Sequence, residues 1–245
     1  MSHTWVLLRG LMREARHWGD WPARLQARYP HDRIICPDWP GCGQHYQQRS
    51  LLRIEDMAGY LQQTLIQQEA SGPYRVVAIS LGAMVACAWA QQRPADFIDC
   101  TLINPSLRGH SPPWQRLRLA NWPRLLGLLG QSPAAREATI LALTSQLAKP
   151  AVLAAWQAWA REAPVSRANA LRQLWAAARF RPAPQAPAVP LQIIQGLADQ
   201  LVDPRCASVL AQAWGCPLRS HPTAGHDLPL DAPEWLLAQL GAAPA

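Results

Sequence analysis

Between residues 74 and 90 an apolar strand runs through a three-residue break into a helix with no polar face. Tyr74-Arg75-Val76-Val77-Ala78-Ile79 reads as the strand, Ser80-Leu81-Gly82 as the break, and residues 83–90 as the helix. A helix that is apolar all round must be covered on most sides. A strand without alternation must be buried on both faces. A central parallel sheet sandwiched between helices meets both demands, and few other architectures do.

The rest of the chain repeats the pattern. Trp5-Val6-Leu7-Leu8, Arg33-Ile34-Ile35-Cys36, Cys100-Thr101-Leu102-Ile103, Leu191-Gln192-Ile193-Ile194 and residues 217–221 are further strands. Helical stretches such as residues 54–68 lie between them. Strands alternating with helices are the mark of an α/β chain. The pattern breaks between residues 107 and 180, where no strand signal occurs. Ser132-Pro133 opens one helix there, with serine as cap and proline at the first position. Pro150 opens a second, with Val152, Trp156 and Trp159 on one face, and Ser166 caps a third, with Leu171, Leu174, Trp175 and Ala178 on one face. Residues 181–190 hold four prolines and read as a stiff return linker. Asp231-Ala232-Pro233-Glu234 reads as a capping box that opens the last helix. The expected organisation is a core of residues 1–106 and 186–245 with a helical cap at 107–185.

Composition excludes several classes. With 49% apolar and 16% charged residues the chain is a folded globule rather than a disordered one. No apolar run approaches the roughly 18 residues that span a bilayer, and Met1-Ser2-His3-Thr4 opens no secretory signal. Six scattered cysteines without a CxxC pair argue against zinc or a disulfide framework, and for reduced thiols in the cytoplasm. The net charge is +7, yet it is unevenly placed. Within residues 105–185 ten arginines and Lys149 face only Glu137 and Glu162, a local net charge of +9. There is no nucleic-acid-binding motif.

Three residues carry the chemistry. A serine hydroxyl is a poor nucleophile unless a base takes its proton. Ser80, on a tight strand-to-helix turn between small Ala78 and Gly82, has its oxygen exposed and a helix N-terminus aimed at it. His226 follows the last strand, in Ala224-Gly225-His226-Asp227. Asp199 follows the fifth strand, in Gly196-Leu197-Ala198-Asp199. All three sit at the carboxyl ends of strands, where open parallel sheets build their sites. Asp203 precedes Pro204 and better suits capping the next helix. Asp227 adjoins His226, and sequence neighbours seldom face each other. Among the other histidines only His17 lies near the site, in the turn after the first strand. That turn, Arg9-Gly10-Leu11-Met12, passes close to the substrate and suits a backbone N–H donor for a negative oxygen. Arg13, Glu14, Arg16 and His17 follow and read as a self-paired polar cluster, with Arg9 either in a salt bridge or at the mouth of the site.

These motifs together resemble the α/β-hydrolase family nearly end to end. The matches are Leu-Leu-x-Gly with Trp18 eight residues past the glycine, Pro37-Asp38-Trp39-Pro40-Gly41-x-Gly43, the Ser80 elbow, the Gly-x-x-Asp turn and the late Gly-His. Two departures stand out: Arg9 where the family often has His, and Ala78 where the elbow usually has Gly. The resemblance implies a six-stranded parallel core, an inserted helical cap, and oxyanion donors at Leu11 and Leu81. It also implies a serine hydrolase acting on a carboxylic ester or thioester. Ser80 would be the nucleophile, His226 the base and Asp199 the acid, with no metal or organic cofactor. Carbon–carbon bond hydrolases, perhydrolases and lyases share the scaffold, and a non-catalytic binding protein is a further alternative. Trp156, Trp159 and Trp175 are the expected acyl-pocket lining, since ligand pockets are mostly apolar. The basic cap either solvates its own outer face or receives an acidic partner. Bacterial members that this chain resembles include a carrier-protein methyl esterase, so an acidic acyl-carrier protein is the partner expected, with no nucleic acid or membrane.

Overall fold

The computed structural model describes residues 2–147 and 150–241, so Met1 and Lys149, named above, lie outside it. Six strands form one sheet: β1 (Thr4–Leu8), β2 (Arg33–Ile35), β3 (Tyr74–Ile79), β4 (Phe97–Ile103), β5 (Leu191–Gly196) and β6 (Leu218–His221). Every pairing is parallel, in the order β2-β1-β3-β4-β5-β6. Helices α1 (Trp21–Arg28), α2 (Ile54–Gln67) and α3 (Leu81–Gln92) join the first four strands. Between β4 and β5 come α4 (Pro113–Arg116), α5 (Trp122–Gly127), α6 (Pro133–Thr144), α7 (Pro150–Glu162) and α8 (Arg167–Arg179). Helices α9 (Arg205–Trp214), α10 (Leu228–Asp231) and α11 (Pro233–Ala238) complete the chain.

Alternate strand residues feed two cores, as the period of two requires. Val6, Leu8, Val76, Ala78, Leu102 and Ile193 pack on one face with α2, α3 and α9 residues such as Leu61, Trp89 and Leu210. Trp5, Leu7, Val77, Ile79, Ile103 and Ile194 pack on the other with Trp21, Leu25 and Leu236. Helix α3 is buried from Leu81 through Ala90, as its lack of a polar face demands. Gly82 cannot be replaced: a Cβ there would lie 2.4 Å from the Leu8 carbonyl oxygen.

The caps on Ser132 and Ser166 are present, accepting the N–H groups of Ala135 and Asn169. Two expectations need correction. Asp231 does not cap α11; it ends α10 and turns back to accept the Gly225 N–H at 2.7 Å and the Ser145 hydroxyl at 2.5 Å. The tie to a buried loop competes successfully with a local cap, whose first-turn N–H groups can be served by solvent. Helix α8 is also turned the other way. Leu171, Leu174, Trp175 and Ala178 face outward, while Asn169 and Gln173 are buried. The hydrogen bonds of those two polar side chains, described below, decide the orientation over the apolar pattern.

Candidate active site

The sheet order places β1 beside β3, with β2 on the far side of β1. Chain direction across the sheet therefore switches between β1 and β3, which is where open α/β sheets leave a crevice. Leu8 pairs with Ala78 in register, so the turns that follow, at Gly10 and Ser80, meet. A Cβ on Gly10 would stand 3.3 Å from the Ser80 Cβ and 3.8 Å from its Oγ. Glycine is what lets the loop pass so near the hydroxyl.

Ser80 has φ 56° and ψ −113°, a conformation that L side chains rarely adopt. Its N–H donates to the Ile103 carbonyl at 3.1 Å, which fixes the elbow to β4. Met12 (φ 59°) and Asn104 (φ 45°) share the left-handed region. Of the four non-glycine residues at positive φ among the described residues, three thus lie beyond the ends of β1, β3 and β4, the fourth being Glu69 after α2.

Asp199 and His226 come together. His226 Nδ1 lies 2.6 Å from Asp199 Oδ2, and both side chains are buried. Asp199 Oδ1 accepts the N–H groups of Leu201 and Val202 at 2.8 and 2.9 Å, so the carboxylate is held on both oxygens. Asp203 is engaged elsewhere, with the N–H of Arg205 at 3.0 Å and its guanidinium at 2.6 Å. Burial alone would lower the His226 pKa. The Asp199 charge and hydrogen bond, with Asp227 adding to them, outweigh it, and the net shift is upward.

Asn104, the residue that follows β4, ties this pair together. Its Nδ2 donates to the His226 carbonyl at 2.8 Å and its Oδ1 accepts the Gly196 N–H at 2.9 Å. One buried amide thus spans the end of β4, the end of β5 and the histidine loop. An asparagine at the carboxyl end of a strand, beside the other strand-end residues, was the available signal.

The turn after β1 is clamped from several sides. Arg9 forms a two-pronged ion pair with Asp227, at 2.6 and 3.1 Å, and its guanidinium lies over Trp18. Trp39 Nε1 donates to the Arg9 carbonyl at 3.1 Å. Arg13 pairs with Glu137 of α6 at 2.6 Å and touches His17 Nε2 at 2.8 Å. Arg16 bridges Glu14 and Glu162 of α7. Gln173 of α8, fully buried, accepts the Met12 N–H at 2.8 Å and donates to Cys42 Sγ and Ser50 Oγ, each at 3.1 Å. The cluster is therefore paired within itself, Arg16 with Glu14 and Arg13 with His17, and also outward to α6 and α7. His17 is kept neutral: burial, then the charges of Arg13 and Arg9, lower its pKa well below the ordinary value.

The three tryptophans separate. Trp156 and Trp159 stand edge-on to His17, with ring centroids 5.0 and 5.3 Å away. The space beside Trp159, among Met12, Glu14 and His17, is about 20 Å³, room for one water and no acyl chain. Trp175 is 53% exposed, with Arg179 over its ring. It sits about 200° around α8 from Gln173, which corrects its expected place in the pocket wall. The physical reason is the inverted orientation of α8.

All six cysteines are free thiols. Among the described residues no helix is long and apolar enough to cross a membrane. In overall structure the chain is similar to an enol-lactonase from Burkholderia xenovorans LB400, with a TM-score of 0.80 and 19% identity over 98% of this chain and 90% of the other. It is similar too to a thermophilic esterase from Thermogutta terrifontis, with a TM-score of 0.77 and 18% identity over 98% and 88%. A hydrolase from Pseudomonas aeruginosa PA01 gives a TM-score of 0.77 and 19% identity over 98% and 91%. At these identities the likeness is one of fold. No curated protein sequence matches the chain. The family model of the alpha/beta hydrolases matches residues 5–239, and the chain belongs to that family.

Proposed function

We propose that the protein is a serine hydrolase that cleaves a carboxylic ester or thioester through an acyl-enzyme. The observation that carries this reading is the 2.6 Å contact of His226 Nδ1 with Asp199, on a histidine loop tied by Asn104 to β4, whose last residue anchors Ser80. With Nδ1 committed to Asp199, Nε2 is the nitrogen free to take the Ser80 proton. Ser80 Oγ then attacks the carbonyl carbon, and the carbonyl oxygen becomes an oxyanion. The Leu81 N–H, in the first turn of α3, has no partner within its own helix and suits that oxyanion. In the β1 turn the Met12 and Arg13 N–H groups are bonded to Gln173 and Gly10, and Leu11 is the second donor that the family resemblance implies. His226 returns its proton to the leaving alcohol or thiol. Water, activated by the same nitrogen, releases the acid and restores Ser80. Asp199 orients the imidazole and stabilises its charged form.

The fold neighbours named as an esterase and an enol-lactonase are in keeping with acyl transfer from oxygen. Free thiols throughout favour a reducing compartment, the cytoplasm. A fluorophosphonate probe tests the reading. Labelling of the wild type that is lost in Ser80→Ala is the expected result, together with turnover of p-nitrophenyl esters. Wild-type protein that is neither labelled nor active on a graded panel of esters and acyl-thioesters would overturn it.

A further inference from the structure

A helix packed on a core normally turns its apolar residues inward. Helix α8 buries Ala176 and Ala177 but leaves its large apolar residues outside. Leu171, Leu174 and Trp175 share one face and are 50%, 44% and 53% exposed. Asn169 and Gln173, on the opposite side, are 5% and 0% exposed. Asn169 accepts the Ser50 N–H and donates to the Gln48 carbonyl, both at 2.9 Å. Gln173 makes the three contacts already described. Rotating α8 to bury its leucines would strip two buried amides of their partners, so the outward apolar face is built in.

A second exposed apolar stripe lies in the segment before α6. The backbone is helical without interruption from Leu119 to Gly130. Leu119, Trp122 and Leu126 fall on one side of that run and are 58%, 45% and 66% exposed. Arg116, just before it, donates to the Ala177 carbonyl of α8 at 2.7 Å, which ties the start of this segment to α8.

The charge around both stripes is of one sign. No Asp or Glu occurs in residues 100–136 or 163–198. Arg108, Arg124, Arg167 and Arg179 are exposed. The acids that bound those stretches, Asp99, Glu137, Glu162 and Asp199, are paired with Arg75, Arg13, Arg16 and His226. A second copy of the chain would bring the same arginines into opposition. An acidic protein would answer the arginines but leave leucine and tryptophan against hydrated carboxylates. An anionic bilayer answers both: phosphates meet the arginines, tryptophan sits at headgroup level, and leucine reaches the acyl boundary.

We propose that the outer face of α8 and the 119–126 run dock on the surface of an anionic lipid bilayer. The docking holds whether or not Ser80 is a nucleophile. It places lipid on one side of α8 and the Met12 turn, held by Gln173, on the other.

Flotation of the full-length protein with phosphatidylcholine vesicles, and with vesicles also containing phosphatidylglycerol, tests this. Binding is expected only to the anionic vesicles and should weaken as salt rises. Trp122→Ser with Leu126→Ser, and Leu171→Ser with Trp175→Ser, should each lower affinity at least about tenfold. Removing Arg124 or Arg179 should cost about fivefold each. All these side chains are exposed, so the variants should fold, which circular dichroism would check. No flotation with anionic vesicles would overturn the proposal. So would binding that is lost with the arginines but indifferent to the four apolar substitutions, since charge alone would then explain it. Concentration-dependent dimers abolished by the same serine variants would assign the face to a second copy. Binding to an acidic acyl-carrier protein without binding to vesicles would assign it to that partner instead.

Discussion

Arg9 and Asp227 form a buried ion pair that joins the two turns flanking Ser80. Arg9 directly precedes Gly10, and Asp227 directly follows His226. Both residues are 2% exposed. The pair stands where the family often has a histidine before the glycine, and it fastens the Gly10 turn to the His226 loop.

Removing one partner should leave the other charged and buried, at a cost of about 3–5 kcal/mol. Urea unfolding of Arg9→Met and Asp227→Asn checks this, and the double variant should recover much of the loss. The pair has an electrostatic signature as well. Asp227 raises the His226 pKa and Arg9 lowers it. The rise of kcat/KM with pH should therefore move to lower pH in Asp227→Asn and to higher pH in Arg9→Met. Shifts of the same sign would show that the pair acts on structure alone.

Ser80→Ala and His226→Ala should each remove at least about a thousandfold of turnover, because such groups act as a unit. Asp199→Asn should cost nearly as much. Asp203→Asn should be mild, since Asp203 serves Arg205. A damaging Asp203→Asn beside a tolerated Asp199→Asn would reverse the assignment of the acid.

Two buried histidines should give opposite pH signatures. A base must be neutral, so with its pKa raised, His226 should bring activity to half-maximum above the ordinary imidazole value of about 6.5. His17 is lowered, so the unfolded chain binds the proton that the native state refuses. Its contribution to stability is present above about pH 6.5 and is lost as pH falls towards its lowered native value. His17→Gln, which keeps an acceptor for Arg13, should flatten that acid loss in urea midpoints. It should leave the pH–rate midpoint set by His226 in place.

Strand order in sequence and the strand-end positions of Ser80, Asp199 and His226 were legible because the carboxyl ends of parallel strands converge whatever the loops do. Asp199 was separable from Asp203 because Pro204 marked a helix start. What was not legible depended on long-range pairing. Nothing near Arg9 announces a partner 218 residues away. Asp227 was set aside because neighbours seldom face each other, and it does not face His226; it faces Arg9. Helix α8 misled by its own clear apolar stripe. Periodicity identifies the faces of a helix but not which one the rest of the chain will cover, and here Asn169 and Gln173 had partners waiting.

Gln173 shows how far that choice reaches. Its Oε1 holds the Met12 N–H, and Met12 is one of the residues forced to positive φ. Leu11, the proposed oxyanion donor, is the residue just before. Gln173→Ala would leave the Met12 N–H buried without a partner, a cost of about 1–3 kcal/mol. The relaxed turn should release Leu11 from its position in the proposed oxyanion site. Transition-state contacts suffer more than ground-state ones when a preorganised donor drifts. The expected result is a fall in kcat of about ten- to a hundredfold with KM little changed. Gln173→Glu keeps the acceptor for Met12 while losing the donor to Cys42 and Ser50, so it should restore most of kcat even if stability stays reduced. If Gln173→Glu and Gln173→Ala lose kcat equally, with KM rising in step, Gln173 supports the fold around α8 and does not position the oxyanion turn.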